Sequence, residues 1–324
     1  MSYFTCNSPL LFAVDITNKC NFNCLHCYNN SGEGKKAELT DDEFINLANQ
    51  IAEFEPLSLC FCGGETLLRY NLIIKMLDIF RGKVGIVNLV TNGYLLTKEK
   101  AINLKKHGLT GLQISLDGYQ SIQHDSFRGY RGAFEHALNA IDYAKAAGLQ
   151  VGVAISPSKI NILDIENIFE LAVKHEVSEI RLMPIIGMGR ANRMKHLLLN
   201  SNEYANLLDI IFTYKQKLLG LNINLEWGDP IDHIYRMQSN DKIGMYTYSM
   251  EIKSDGNIGA STYFPIYFGN IREHSLKEYW EAGFNRIWGN KKFLRYINKI
   301  ETIADIENFY QQCKEDIVYD LIDD

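Results

Sequence analysis

The 324-residue chain is predicted to be α/β: an open, partial (β/α)6 TIM-like barrel followed by a small α+β module. Three features point there. Short apolar runs alternate with amphipathic stretches six times before residue 190, the rhythm of βα units around a parallel sheet. The first four runs stop at clusters of Cys, Gly or small polar residues, where loops of parallel barrels carry their chemistry. After Arg190-Ala191-Asn192-Arg193 the rhythm changes, so 1–198 reads as the barrel and 199–324 as the second unit.

The first strand is read over 10–16 and ends in a cysteine-rich loop. Thr40-Asp41-Asp42-Glu43 opens a helix, with Thr40 as N-cap and Glu43 closing a capping box. A second strand over 57–62 runs into Gly63-Gly64-Glu65 and a helix over 67–80. A third over 84–90 ends in Thr91-Asn92-Gly93, before a helix over 98–107. The fourth, 112–116, ends in Asp117-Gly118 and is followed by a helix over 132–147. Strands over 151–155 and 179–183 flank a helix over 163–175. Beyond them come a helix over 203–219, a short strand over 222–227, and a hairpin over 249–263 turning at Ser254-Asp255-Gly256-Asn257. Helices over 276–288 and 303–321 complete the chain.

Composition narrows the function. Nearly half the residues are apolar and only 6 are Pro, enough for a large core. The net charge of −6 argues against a nucleic-acid or anionic-membrane surface. No apolar run is long enough to span a bilayer and no signal peptide is read, so a cytoplasmic protein is expected. Seven Cys, odd in number and clustered, do not form a disulfide framework.

Cys20, Cys24 and Cys27 are spaced C-x3-C-x2-C. Three thiolates this close can hold three corners of a cubane iron–sulfur cluster and leave one iron open. Zinc with His26 as fourth ligand is the alternative, but His26 lies between Cys24 and Cys27, where closing on the same ion strains a very short loop. Free thiols in an ordinary loop are the other. The motifs at the later strand ends favour the cluster.

The cysteine spacing, with Gly63-Gly64-Glu65 after the second strand, resembles the signature of the radical SAM superfamily. That resemblance implies a [4Fe-4S] cluster on the three Cys, S-adenosylmethionine on its open iron, and an electron donor such as flavodoxin or ferredoxin. Reductive cleavage then gives a 5′-deoxyadenosyl radical that abstracts hydrogen. Gly63, Gly64 and Glu65 would hold the methionine amino end. Thr91, Asn92, Ser115, Asp117 and Arg128 match further cofactor positions, the last within His124-Asp125-Ser126-Phe127-Arg128-Gly129. Strand-end capping and a surface salt bridge are the plain alternatives for these. His26 stands where the family carries an aromatic beside adenine, with Phe22 or Tyr28 sharing the contact.

Met183-Pro184-Ile185-Ile186-Gly187-Met188-Gly189-Arg190-Ala191 is similar to a stretch of the superfamily's peptide-modifying branch. Arg190, Arg193, Lys195 and His196 could receive an acidic group, although a solvated loop is the simpler reading. Residues 252–258, 269–276 and 279–280 resemble the SPASM or twitch module, which follows the barrel in enzymes acting on ribosomally made peptides. Its auxiliary-cluster cysteines are missing: Ala260-Ser261 stand where a Cys is expected, and Cys313 is the one Cys beyond residue 62. The module is therefore expected to be cluster-free.

Without an auxiliary electron acceptor, a redox-neutral outcome such as epimerisation gains weight over cross-linking. Epimerisation needs a thiol hydrogen donor. Cys60 and Cys62 share one face of the second strand and Cys62 abuts the Gly-Gly turn, so Cys62 comes first, then Cys60, with Cys313 and Cys6 less easily placed. Both strand thiols could equally be small buried apolar residues. The expected substrate is a peptide. No leader-binding domain is read before residue 10, so one would be a separate protein. A small-molecule substrate and a non-catalytic metal-binding module are the competing readings.

Overall fold

A computed structural model describes residues 8–34, 37–244, 246–313 and 315–323; Cys6 lies outside them. Its eleven strands form one sheet in the order β11-β10-β9-β8-β1-β2-β3-β4-β5-β6-β7. β1 (Leu11–Asp15), β2 (Ser58–Cys62), β3 (Ile86–Thr91), β4 (Gly111–Ser115), β5 (Gln150–Ile155) and β6 (Glu179–Leu182) follow the predicted runs to within two residues. They pair in parallel, each with the next in sequence.

The parallel arc extends past the six predicted units. β7 (Asn224–Trp227) joins β6 on one edge, and β8 (Ser249–Ile252) lies parallel to β1 on the other. β9 (Asn257–Gly259) turns back antiparallel to β8, β10 (Ile266–Asn270) pairs with β9, and β11 (Ile317–Val318) with β10. The sheet thus passes without a gap through both sides of the expected boundary near 198.

The helices are α1 (Asp41–Glu53), α2 (Tyr70–Phe80), α3 (Lys98–Lys106), α4 (Ser121–Arg128), α5 (Ala133–Ala146), α6 (Ile165–Lys174), α7 (Ser201–Leu219), α8 (Pro230–Lys242), α9 (Leu276–Glu281), α10 (Lys291–Ile297) and α11 (Ile303–Gln312). The Thr40 capping box forms as expected, with Glu43 N donating to Thr40 Oγ1 at 3.2 Å and Thr40 N to Glu43 Oε2 at 2.7 Å. Three predicted helices are shorter. The one over 67–80 begins as a 3₁₀ turn, Thr66–Arg69. The one over 276–288 breaks at Gly283, whose φ of +116° is left-handed. The one over 303–321 stops at Gln312, and the chain then adds β11 to the sheet edge. Helices α4, α8 and α10 and strands β10 and β11 were not read from sequence; each is short or weakly periodic.

Strand alternation divides the sheet's two faces. In β2, Leu59 and Phe61 are buried against the helices, leaving Cys60 and Cys62 to face the barrel lumen. β6 buries Ile180 and Leu182 and turns Glu179 and Arg181 inward; β8 buries Met250 and Ile252 and turns Glu251 inward. The apolar core therefore lies between sheet and helices, and the lumen is polar.

Candidate active site at the cysteine loop

The loop after β1 is fastened from several directions. Gly32 N donates to Asn18 O at 3.0 Å and Cys20 N to Gly32 O at 2.9 Å. Arg190 reaches over from the segment after β6: Nε donates to Cys24 O at 2.8 Å and Nη1 to Ser31 O at 2.5 Å, and its backbone N–H donates to Cys27 O at 3.0 Å. Gly189 (φ +56°) lies directly on this loop, where a Cβ would collide with the carbonyls of Cys27 and Tyr28. Sequence reading placed Arg190 in a solvated or substrate-receiving cluster; the structure makes it a clamp on the loop. Arg193, Lys195 and His196 remain exposed.

Each of the three sulfurs has a donor near it. Phe22 N donates to Cys20 Sγ at 3.4 Å, Ser31 N to Cys27 Sγ at 3.3 Å, and Arg128 Nη1 lies 3.9 Å from Cys24 Sγ. Such donors stabilise charge on metal-bound thiolates. Burial, aided by the nearby Cys24, Glu65 and Cys27, pushes the Cys20 thiol up to about 11, and burial raises Cys24 against the pull of Arg128; a bound cation would favour their ionised forms. Among the described residues, these thiols and His26 do not gather within 4.8 Å of one another. A single zinc would draw its ligands closer, because Zn–S bonds are only about 2.3 Å long. The donor set fits a cubane.

The Gly-Gly-Glu turn docks onto the base of the loop. Gly64 N donates to Thr17 O at 2.7 Å and Glu65 N to Lys19 O at 2.8 Å. A Cβ at Gly63 would strike Thr17 O, and one at Gly64 would strike Lys19 O, so both positions require glycine. Glu65 is fully buried, and burial raises its carboxyl. Its oxygens accept from Leu67 N at 3.0 Å, Thr91 Oγ1 at 2.7 Å and Asn92 N at 2.9 Å. Asn92 in turn donates to Asn21 Oδ1 at 2.9 Å. The predicted residues Glu65, Thr91 and Asn92 thus form one network that ties β2 and β3 to the loop.

The opposite wall comes from β4 and α4. Asp117 is fully buried, accepts from Ser156 N at 2.7 Å and pairs with Arg128 at 2.5 Å. Burial raises its carboxyl against the pull of Arg128. Ser115 ends β4 beside them, nearly buried. His26 stacks on Phe127, ring centroids 4.1 Å apart at 15°, and its Nε2 lies 3.8 Å from Asp117. Burial holds this imidazole well below its usual pKa, leaving it a neutral, flat surface. Phe22 packs away from it, stacked on Tyr130 at 4.6 Å and buried against Tyr94. Among the described residues, His26 Nδ1, Arg128 Nε and Asn21 Nδ2 are buried without hydrogen-bond partners. Unpartnered buried polar groups around one loop are what a polar ligand of many functional groups requires. S-adenosylmethionine, with amino, carboxylate, ribose and adenine groups, fits that description.

Inside the lumen the Cys62 thiol contacts Cys60 Sγ at 3.5 Å, and the two remain free thiols. The contact with Cys60 and burial raise Cys62 well above the ordinary thiol range, which keeps its S–H proton in place. Lys253 forms a buried pair with Asp15 at 3.1 Å. Tyr28 is 41% exposed, yet burial raises its phenol, which feels Lys253, Asp15, Cys62 and Glu251. Its hydroxyl therefore points to the lumen. Cys313 is not part of this group. It caps α11, and its charge is felt by Tyr296 of α10.

A loop carrying three cysteines at the carboxyl edge of an open α/β barrel, lined by buried polar groups, is the arrangement that suits a metal-cluster enzyme. Residues 14–172 match the Radical SAM superfamily and make up a Radical SAM domain. The chain is an enzyme of the kind that uses a [4Fe-4S] cluster and S-adenosylmethionine. An AdoMet-dependent heme synthase of Methanosarcina barkeri is 29% identical over 294 residues, covering 85% of this chain and 83% of that protein. Among solved structures, Streptococcus suis SuiB bound to precursor peptide SuiA is similar at TM-score 0.68 and 16% identity, over 96% of this chain and 75% of SuiB. The enzyme anSMEcpe with bound AdoMet and Cp18Cys peptide matches at TM-score 0.67 and 16% identity, over 94% of this chain and 86% of that one. At such identities the two structures establish the shared fold.

Proposed function

We propose that this enzyme epimerises a residue of a ribosomally made peptide, with Cys62 as the hydrogen donor. The observation that carries the reading is the pair of free thiols in contact at 3.5 Å inside a polar lumen below the cluster loop. Cys20, Cys24 and Cys27 would hold the cluster, and the Glu65 network and the Asp117–Arg128–His26 wall would hold S-adenosylmethionine. When bound, the two supply a 5′-deoxyadenosyl radical that takes hydrogen from a substrate carbon. The Cys62 S–H bond then breaks homolytically and a C–H bond forms on the opposite face of that carbon. One electron from a flavodoxin- or ferredoxin-type donor and one proton from solvent restore the thiol. Cys60, whose sulfur contacts that of Cys62, holds the donor in place. Cys313 lies outside this group and has no role in it. The C-terminal module, without auxiliary-cluster cysteines, serves as a cover and platform over the lumen.

A small-molecule substrate is the second reading, favoured by the similarity to a heme synthase. The carboxylates of the lumen weigh against it, because heme-type macrocycles carry carboxylates of their own. Mass spectrometry of a co-expressed candidate peptide in D₂O tests the proposal. Epimerisation predicts a +1 Da product that disappears in Cys62→Ala. A −2 Da product, or unchanged deuterium uptake in Cys62→Ala, contradicts it.

A further inference from the structure

Glu251 has no role in holding the cluster or S-adenosylmethionine, yet it is an incompletely satisfied carboxylate in the lumen. It lies on the inward face of β8, opposite Ala13 of β1, one strand repeat below the Asp15–Lys253 pair. That places it about 6.6 Å deeper than Lys253, at about 3.3 Å per residue. Among the described residues its Oε2 is buried without a hydrogen bond, and the Thr262 backbone N–H donates to its carboxylate.

Of the neighbouring cations, Lys253 is held by Asp15 at 3.1 Å, while Arg181 lies near Glu179 and in register with Glu226 of β7, its Nε buried without a hydrogen bond to any described residue. On the inward strand faces the carboxylates Asp15, Glu179, Glu226 and Glu251 thus outnumber the cations Lys253 and Arg181, before Asp229 is counted. Tyr263 lies among Glu251, Arg181 and Asp229, so its phenol lines the same recess. An unpaired buried carboxylate is costly to keep and is relieved by a cation arriving from outside.

We propose that Glu251, at the floor of the lumen beside Tyr263, receives a primary ammonium or guanidinium at the end of an extended aliphatic chain. On the peptide reading above, on which this rests, the substrate presents a lysine or arginine side chain to the lumen. Its ammonium descends past the Asp15–Lys253 layer while its backbone stays near the cysteine loop. Burial and the nearby Asp15 push the Glu251 carboxyl up to about 7, against Lys253 and the Thr262 amide. Arg181, Tyr28 and Tyr263 are the other charged or titratable groups facing it. Cation binding ionises Glu251 and releases a proton.

Anaerobic calorimetry on the reconstituted holoenzyme tests this with three probes: Ac-Gly-Lys-Gly-NH₂, Ac-Gly-Nle-Gly-NH₂ and Ac-Gly-Glu-Gly-NH₂. The lysine probe should bind about tenfold more tightly than the norleucine probe, and Glu251→Gln should abolish that difference while norleucine binding is unchanged. In the wild-type protein, titration at pH 6.5 in buffers of different ionisation heat should show a proton released with the lysine probe alone; this arm holds even if the variant does not fold. Equal binding of lysine and norleucine probes, binding of none, tightest binding of the glutamate probe, or no proton release overturns the site. A lysine preference without any modified peptide product would instead sink the peptide reading and leave the site standing.

Discussion

At the residue scale, the chemistry sits in side chains whose neighbours in space are far away in sequence. Cys20, Cys24 and Cys27 were legible because ligands on one short loop advertise themselves by spacing. Glu65, Thr91, Asn92 and Asp117 stand just at or after the ends of recognisable strands, whereas Arg128 ends α4 and was marked only by the resemblance of the run 124–129. The clamp of Arg190 on Cys24 spans 166 residues, and the Lys253–Asp15 pair spans 238, so neither has a local signal. Arg190 offers a test. Hydrogen bonds from a charged donor contribute about 1.5–3 kcal/mol each, less where a freed carbonyl can rehydrate. Arg190→Ala should therefore cut the iron retained after reconstitution to less than half, with unchanged far-UV circular dichroism. Full iron loading in the variant would show that the loop holds its shape without the clamp.

At the scale of elements, the capping box of α1 also docks the C-terminal module. Arg272, just after β10, donates from Nε to Glu43 Oε1 at 2.6 Å, from Nη2 to Glu43 Oε2 at 3.0 Å and from Nη1 to Ala37 O at 3.0 Å. The Arg272 bond lowers the Glu43 carboxyl from 4.5 to about 2. A depressed carboxyl contributes stability that is complete above the unfolded pKa and disappears as pH falls through the folded one. The wild-type protein should lose this contribution between pH 4.5 and about 2. Arg272→Ala should lower Tm at pH 7 and flatten the pH dependence over that window. Glu43→Ala should cost about 1 kcal/mol more through loss of the cap. Identical acid profiles for wild type and Arg272→Ala would remove Glu43 from the docking contact. Only the first half of this arrangement was readable: Thr40 and Glu43 announce a cap, but nothing local announces Arg272.

At the scale of the whole molecule, the sheet explains why a six-unit reading was incomplete. Seven parallel strands in sequence order leave an edge that β8 closes beside β1, and this brings Glu251 and Lys253 into a lumen built mainly by residues before 190. Apolar periodicity reports which face of a strand meets the helices. It does not report which distant strand becomes its neighbour. Short late strands such as β10 and β11 carry too few alternating residues to be seen at all. The lumen's charge balance is thus a property of the assembled sheet.

The account depends most on three thiolates presenting one open iron to S-adenosylmethionine. Electron paramagnetic resonance of the dithionite-reduced, anaerobically reconstituted protein, with and without S-adenosylmethionine, tests this most directly. The account predicts four irons and four sulfides per chain, a reduced [4Fe-4S] signal whose g-values shift when S-adenosylmethionine is added, and loss of the signal in Cys20→Ala, Cys24→Ala and Cys27→Ala. One zinc per chain without sulfide, or a cluster signal indifferent to S-adenosylmethionine, would contradict it.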